Sequence, residues 1–179
     1  MRLGGFVMDE EKVELTLVEQ AEQSSSNYFR QGLNCTECIM CTFFDMDKID
    51  LPKETIALAT GFGSGLGNTK NTCGAITGAV MALSGVLGRK NPFEKETVGE
   101  RIAELKDIYL LIGEMIREIE DHYGTLICKE LSAPLGEFEG KARKKNCMQI
   151  IGYCGGLAMK YALRAEEIAK EKETSEEKS

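Results

Sequence analysis

The sequence predicts an all-α fold: a helical bundle of five or more helices around a buried central helix rich in glycine and alanine. Three observations carry that expectation. Apolar residues recur at steps of three and four along most of the chain. No segment between turn signals shows the period-two alternation of a half-buried strand. Residues 71–89 hold no charge before Arg89, so this one helix suits burial on every side.

Each element follows from its local residues. Residues 10–31 space Val13, Leu17, Ala21, Ser25 and Tyr28 as one face of an amphipathic helix, which Gly32 stops. Asn34 is expected to cap a second, short helix from Cys35 to about Phe44. A polar loop, 45–50, leads to Pro52, a residue at home in a first helical turn, and 54–60 reads as helical. Alternating glycines at 61, 63, 65 and 67 then forbid a regular helix and permit left-handed turns.

In the central helix Gly74, Gly78 and Ala82 recur four apart and Gly85 follows, a groove where another backbone can approach. Ile76, Val80, Leu83 and Leu87 supply bulk elsewhere. Asn71 and Thr72 are expected to cap it, with Cys73 at its head. Its apolar part falls short of the roughly 20 residues a bilayer requires, so no membrane span is expected. Beyond the turn at Asn91 and Pro92, Ile102, Leu105, Tyr109, Ile112, Ile116, Ile119 and Tyr123 form a heptad stripe ended by Gly124. Thr125 opens a short helix with Cys128 in its first turn, and Pro134 and Gly136 mark a loop. The last helix is expected to be capped by Asn146 and to align Cys147, Ile151, Cys154, Ala158, Tyr161, Ala165 and Ile168. The domain reading is one cysteine-rich helical unit, 10–170, with an N-terminal arm, 1–9, and a disordered charged tail, 171–179.

Composition narrows the chemistry. A net charge of -7 argues against a nucleic-acid partner, and the one dense basic run, 141–145, reads as a solvated helix approach. The first nine residues lack a secretory pattern, so a cytoplasmic location is expected, where thiols stay reduced. Seven cysteines then point to metal, cluster or redox chemistry. With His122 the only histidine, any metal site must lean on sulfur. His122 itself suits a surface place at a helix C-terminus, the alternative being a proton donor or auxiliary ligand near Cys128. The glycine run lacks the one-three-six spacing of a dinucleotide loop and follows no strand, so no nucleotide is expected. Its backbone N–H groups, and those at Gly63, Gly65, Gly67 and Gly74, could instead point at an anionic centre.

Cys35, Cys73 and Cys147 each directly follow Asn or Thr, and Cys128 stands three after Thr125, which sets four thiols in first helical turns. There the helix dipole lowers a thiol pKa and favours thiolate. Cys35, Cys38 and Cys41 lie three apart, so two of them can share a ligand. No fourth cysteine followed by proline completes a ferredoxin run. Cys35 and Cys38 also form a dithiol spacing, although the βαβ context of thioredoxins is missing. A buried, inert cysteine is the plain alternative, above all for Cys41 and Cys154.

Cys73-Gly74-Ala75-Ile76-Thr77-Gly78, with Asn34-Cys35 upstream and Cys128 and Cys147 downstream, resembles the family named for its C_GCAxxG_C_C cysteine pattern. The resemblance covers about residues 27–160, including the glycine loop and the segment Gly124-Thr125-Leu126-Ile127-Cys128. It implies a redox role and four hallmark thiols, Cys35, Cys73, Cys128 and Cys147. Cys38, Cys41 and Cys154 are additional to the pattern and leave open whether Cys147 or Cys154 is the last thiol. Related domains accompany haem in split-Soret cytochromes, but without Cys-x-x-Cys-His this chain attaches no covalent haem. The leading expectation is an electron-transfer protein holding an iron–sulfur cluster on Cys35, Cys73, Cys128 and Cys147, with Cys38 as exchange ligand. Its partners would be a redox protein or small electron carrier, with a second copy of the chain also admitted. The alternatives are a thiol–disulfide oxidoreductase, using Cys35 with Cys38 or with Cys73, and structural zinc on four thiolates.

Overall fold

Capping chemistry fixes where several helices begin. In the computed structural model, which describes residues 15–176, the Thr16 hydroxyl accepts from the Glu19 N–H while the Glu19 carboxylate accepts from the Thr16 N–H, opening α1, Leu17–Arg30. The same reciprocal box, Asn34 with Glu37, opens α2, Cys35–Asp45, and Thr97 with Glu100 opens α4, Val98–Tyr123. Between them lie a 3-10 helix, Lys53–Phe62, entered from Pro52, and α3, Gly74–Leu87. Gly124, at φ 74°, ends α4 as a left-handed cap, and α5, Cys128–Ser132, a 3-10 turn, Ala133–Leu135, and α6, Lys141–Glu176, complete the chain. Among the described residues the fold is all-helical, with no strand and a single isolated bridge between Thr72 and Ile127.

The glycine-rich α3 lies against α2, α6, α4 and the 3-10 helix. Gly74, Ala75, Ile76, Gly78, Ala79, Ala82 and Leu83 are buried, whereas Val80, Met81 and residues 84–87 are half-buried. The helix that packs against every other long helix is α6, whose 36 residues span about 54 Å at 1.5 Å per residue. Its glycines let α1 in: a Cβ on Gly155 would meet the Ser25 Cβ at 2.9 Å and the Ala21 carbonyl at 3.3 Å. Buried hydroxyls stitch the interfaces. Ser25 donates to Thr42, and Thr42 donates to the Cys38 carbonyl at 2.9 Å. Thr36 donates to the Gly74 carbonyl at 2.9 Å, tying α2 to α3.

Four expectations change. The heptad stripe of α4 is its core face only in part: Ile119 is buried and Ile112 and Tyr123 pack on the core, but Ile102 and Tyr109 are each 64% exposed, and Leu111 and Met115 outside the stripe are buried. At about 100° per residue Leu111, Met115 and Ile119 fall within an arc of about 80°, so one face of the second half of α4 meets the core while its first half holds no buried residue. Asn71 and Thr72 do not cap α3; Cys73 occupies the cap position, and Thr72 pairs with Ile127. Asn146 lies inside α6, which starts at Lys141, and its amide donates to the Leu131 carbonyl at 3.2 Å. The helix also continues to Glu176, six residues into the stretch assigned to a disordered tail, because Ala, Glu and Lys propagate an existing helix readily. The arm, 1–9, and the start of the first predicted helix, 10–14, lie outside the described residues, as do 177–179.

Candidate functional site

The loop between the 3-10 helix and α3 winds left-handed. Ser64, Gly65, Leu66, Gly67 and Asn68 all have positive φ, between 52° and 74°, and Lys70 follows at 64°. A left-handed residue other than glycine costs about 1–2 kcal/mol, so local bonds must hold the turn. They do: Gly67 N–H donates to the Gly61 carbonyl at 2.8 Å, Asn71 N–H to Gly65 at 3.1 Å, and the Thr69 hydroxyl to Gly65 at 2.6 Å. A Cβ on Gly65 would meet the Lys70 Cα at 2.7 Å, and one on Gly63 the Asn34 side chain at 2.9 Å. The glycines therefore let the loop fold on itself and onto the start of α2. The Ser64 N–H bonds the Cys35 sulfur.

A second crossing brings two more thiols in. Cys73 N–H donates to the Leu126 carbonyl at 2.9 Å, and Cys128 N–H to the Asn71 carbonyl at 2.7 Å, so the residues before α3 and before α5 run antiparallel. Cys73 and Cys128 thus lie next to the ends of one short ladder. The start of α3 also abuts that of α2: a Cβ on Gly74 would stand 3.0 Å from the Cys35 Cβ. The Asn146 bond to Leu131 docks α6 beside α5 one residue before Cys147.

Electrostatics report the same convergence. Burial pushes the Cys73 thiol up to about 12, opposed by the Ala75 N–H and reinforced by Cys35, Cys128 and Cys147. Burial pushes Cys147 up to about 11, opposed by Arg143 and reinforced by Cys35 and Cys128. Cys35 is raised by burial, eased by the Ser64 N–H, raised by Cys128 and eased by Arg143. Cys35, Cys73, Cys128 and Cys147 therefore share one neighbourhood, and all are buried. The expectation of lowered thiol pKa values is reversed: desolvation outweighs the N–H donors at Cys35 and Cys73, and it outweighs Arg143 at Cys147, which lies in the second turn of α6 and not in a first turn.

The other cysteines lie behind or beside this set. Cys38 is fully buried, donates weakly to the Leu33 carbonyl and feels Cys35 and Cys41. Cys41 is half-buried on α2. Cys154 is fully enclosed, raised well above 9 by burial and then by Cys73 and Cys35. His122 is exposed on α4 and stacks on Tyr153 at 4.3 Å. Among the described residues no three His, Cys, Asp or Glu side chains stand close enough to close around a single ion.

Arg143 escaped the sequence reading. It sits within the basic run whose charge density predicts solvent exposure, yet it is only 7% exposed and stacks on Phe138 at 3.4 Å. Its spacing of four from Cys147, one turn along α6, was the available signal.

Among the described residues no helix is long and apolar enough to cross a membrane. A family model described as "Putative redox-active protein (C_GCAxxG_C_C)" matches residues 33–161. An uncharacterized protein of Archaeoglobus fulgidus is 22% identical over 133 residues, covering 74% of this chain and 87% of that one. No solved structure matches the chain.

Proposed function

Since the chain belongs to the C_GCAxxG_C_C family, we propose that its redox chemistry is electron transfer through an iron–sulfur cluster held by Cys35, Cys73, Cys128 and Cys147. The observation that carries this reading is the shared neighbourhood of these four buried thiols, three from the starts of α2, α3 and α5 and the fourth from the second turn of α6. The donor set is sulfur alone, the ligand type that iron–sulfur clusters take, and among the described residues no three such side chains close around a single ion. Held by these residues, a cluster would supply one-electron transfer between a reduced and an oxidised carrier. The chain's part is to exclude water and to direct the Ser64 N–H at Cys35 and the Ala75 N–H at Cys73, contacts that stabilise thiolate charge. Both Cys147 and Cys154 feel two of the other thiols, and Cys147 is favoured as fourth ligand because it alone of the two feels Arg143, whereas Cys154 is fully enclosed.

Anaerobically prepared protein is expected to be brown, with iron bound and absorbance in the visible blue. Cys73→Ser should abolish that signal and Cys154→Ala should keep it. A colourless wild type without iron, or a signal surviving Cys73→Ser, contradicts the reading.

One observation favours a second reading, a thiol–disulfide couple between Cys35 and Cys73: their backbones meet where Gly74 faces the Cys35 Cβ. Oxidation would join the two sulfurs and release two protons and two electrons to an oxidised thiol carrier. Cys38 would then serve as the alternative resolving thiol. Zinc on the four thiolates would instead appear as bound metal without colour.

A further inference from the structure

Among the described residues the cations around Phe138 have no carboxylate partner. Arg143 is only 7% exposed, and among the described residues its Nε has no hydrogen-bond partner. Its guanidinium lies 3.4 Å from the Phe138 ring centroid, and the Lys70 ammonium lies 4.3 Å from the same centroid. Among the described residues neither cation forms an ion pair with a carboxylate, although the chain carries 29 Asp and Glu. A guanidinium does not shed its proton, so burial cannot neutralise it. Two like charges sharing one ring repel, and a ring face offsets only part of the desolvation of a buried cation.

The charge of Arg143 reaches the thiols of Cys35 and Cys147, the latter one turn along the same helix. Lys70 stands at the end of the left-handed loop whose Ser64 N–H bonds Cys35, and its carbonyl accepts from the Lys129 N–H beside Cys128. Both cations are thus tied by backbone or side chain to segments that carry the four thiols.

We propose that Arg143, seconded by Lys70 across Phe138, is the counter-charge of the anionic thiolate centre and sets its reduction potential. The inference rests on the cluster reading above and deepens it. Reduction adds negative charge to a centre already carrying four thiolates, and a fixed buried cation favours the reduced form. Removing that cation makes the centre harder to reduce.

The test is a midpoint potential measured on iron-loaded full-length protein, wild type against Arg143→Gln, Arg143→Lys and Lys70→Gln. Arg143→Gln is expected to shift the potential to a more negative value at unchanged iron content. Arg143→Lys should recover most of the shift, and Lys70→Gln, which removes a half-buried charge, should shift it less and in the same direction. A purely packing role for Arg143 would lower the melting temperature and leave the potential where it was. If Arg143→Gln does not fold or load iron, Lys70→Gln decides: a negative shift supports the inference, and the wild-type potential overturns it. Loaded Arg143→Gln at the wild-type potential overturns this inference alone. Iron-free wild type overturns the cluster reading and the inference with it.

Discussion

At the scale of single residues, a thiol is cheap to bury and a thiolate is not. Burial holds Cys147 and Cys73 protonated up to about 11 and about 12, against an ordinary value of 9.0. The folded, metal-free protein therefore keeps protons that the unfolded chain gives up once pH exceeds about 9. The resulting stability is present in full below that pH and is lost as pH rises through 11 and 12. Melting temperatures of metal-free protein between pH 8 and pH 11, on the order of the window these thiols define, should fall towards the alkaline end. The Cys147→Ser variant should fall less steeply, and identical slopes for the two proteins would contradict this assignment. The glycine loop offers a second prediction. Gly65 has φ 74° and no room for a Cβ, so Gly65→Ala must shift Lys70 and with it the loop that bonds Cys35. Iron retention should drop while helical circular dichroism stays close to wild type. Equal loss of both would instead mark Gly65 as a residue the whole fold depends on.

At the scale of elements, the glycines of α6 matter through what they let approach. Gly155→Ala gains up to about 1 kcal/mol of helix propensity. Its new Cβ would press on Ser25 and the Ala21 carbonyl, with backbone on one side unable to yield cheaply. The net effect is expected to be a loss of about 1–3 kcal/mol, read as a melting temperature lower by several degrees. Gly113→Ala on α4, whose Cβ would touch only the flexible Arg117 guanidinium at 3.3 Å, should raise stability by about 0.5–1 kcal/mol. Both effects are measured by urea or thermal unfolding. A neutral Gly155→Ala would mean that α1 and α6 can separate without cost.

Which elements were legible in the sequence follows from how local their causes are. Asn34 caps α2, and the alternating glycines wind left-handed, because both depend on residues a few positions apart. Asn71, Thr72 and Asn146 look like caps by the same local rule, yet long-range packing takes them elsewhere. Thr72 pairs with Ile127, and Asn146 is carried inside α6 because the basic run before it joins the helix. Arg143 was hidden for a related reason: charge density suggests solvent, and only the fold reveals Phe138 lying over one member of the run. Spacing singles out Cys35, Cys73, Cys128 and Cys147 in the sequence, but the burial that raises the pKa of Cys35, Cys73 and Cys147 belongs to their tertiary surroundings.

At the scale of the whole molecule, α6 carries the architecture. It packs against α1, α2, α3 and α4 and contributes Arg143, Cys147 and Cys154 from one side of its first half. Its second half meets α4 through Glu118 with Lys160, Glu114 with Arg164 and Asp107 with Lys172. These exposed pairs are worth roughly 0–1 kcal/mol each, so the apolar contacts of Leu111, Met115 and Ile119 hold α4 in place. The thiol centre sits at the opposite end, where the starts of α2, α3 and α5 meet the first turns of α6. The central claim is that sulfurs brought there from distant stretches of chain hold one cluster together. The most direct measurement is the content of iron and acid-labile sulfide per chain in anaerobically prepared protein. Iron and sulfide present together, and both lost in Cys73→Ser, is the result this account predicts. Zinc in place of iron, or iron without sulfide, would contradict it.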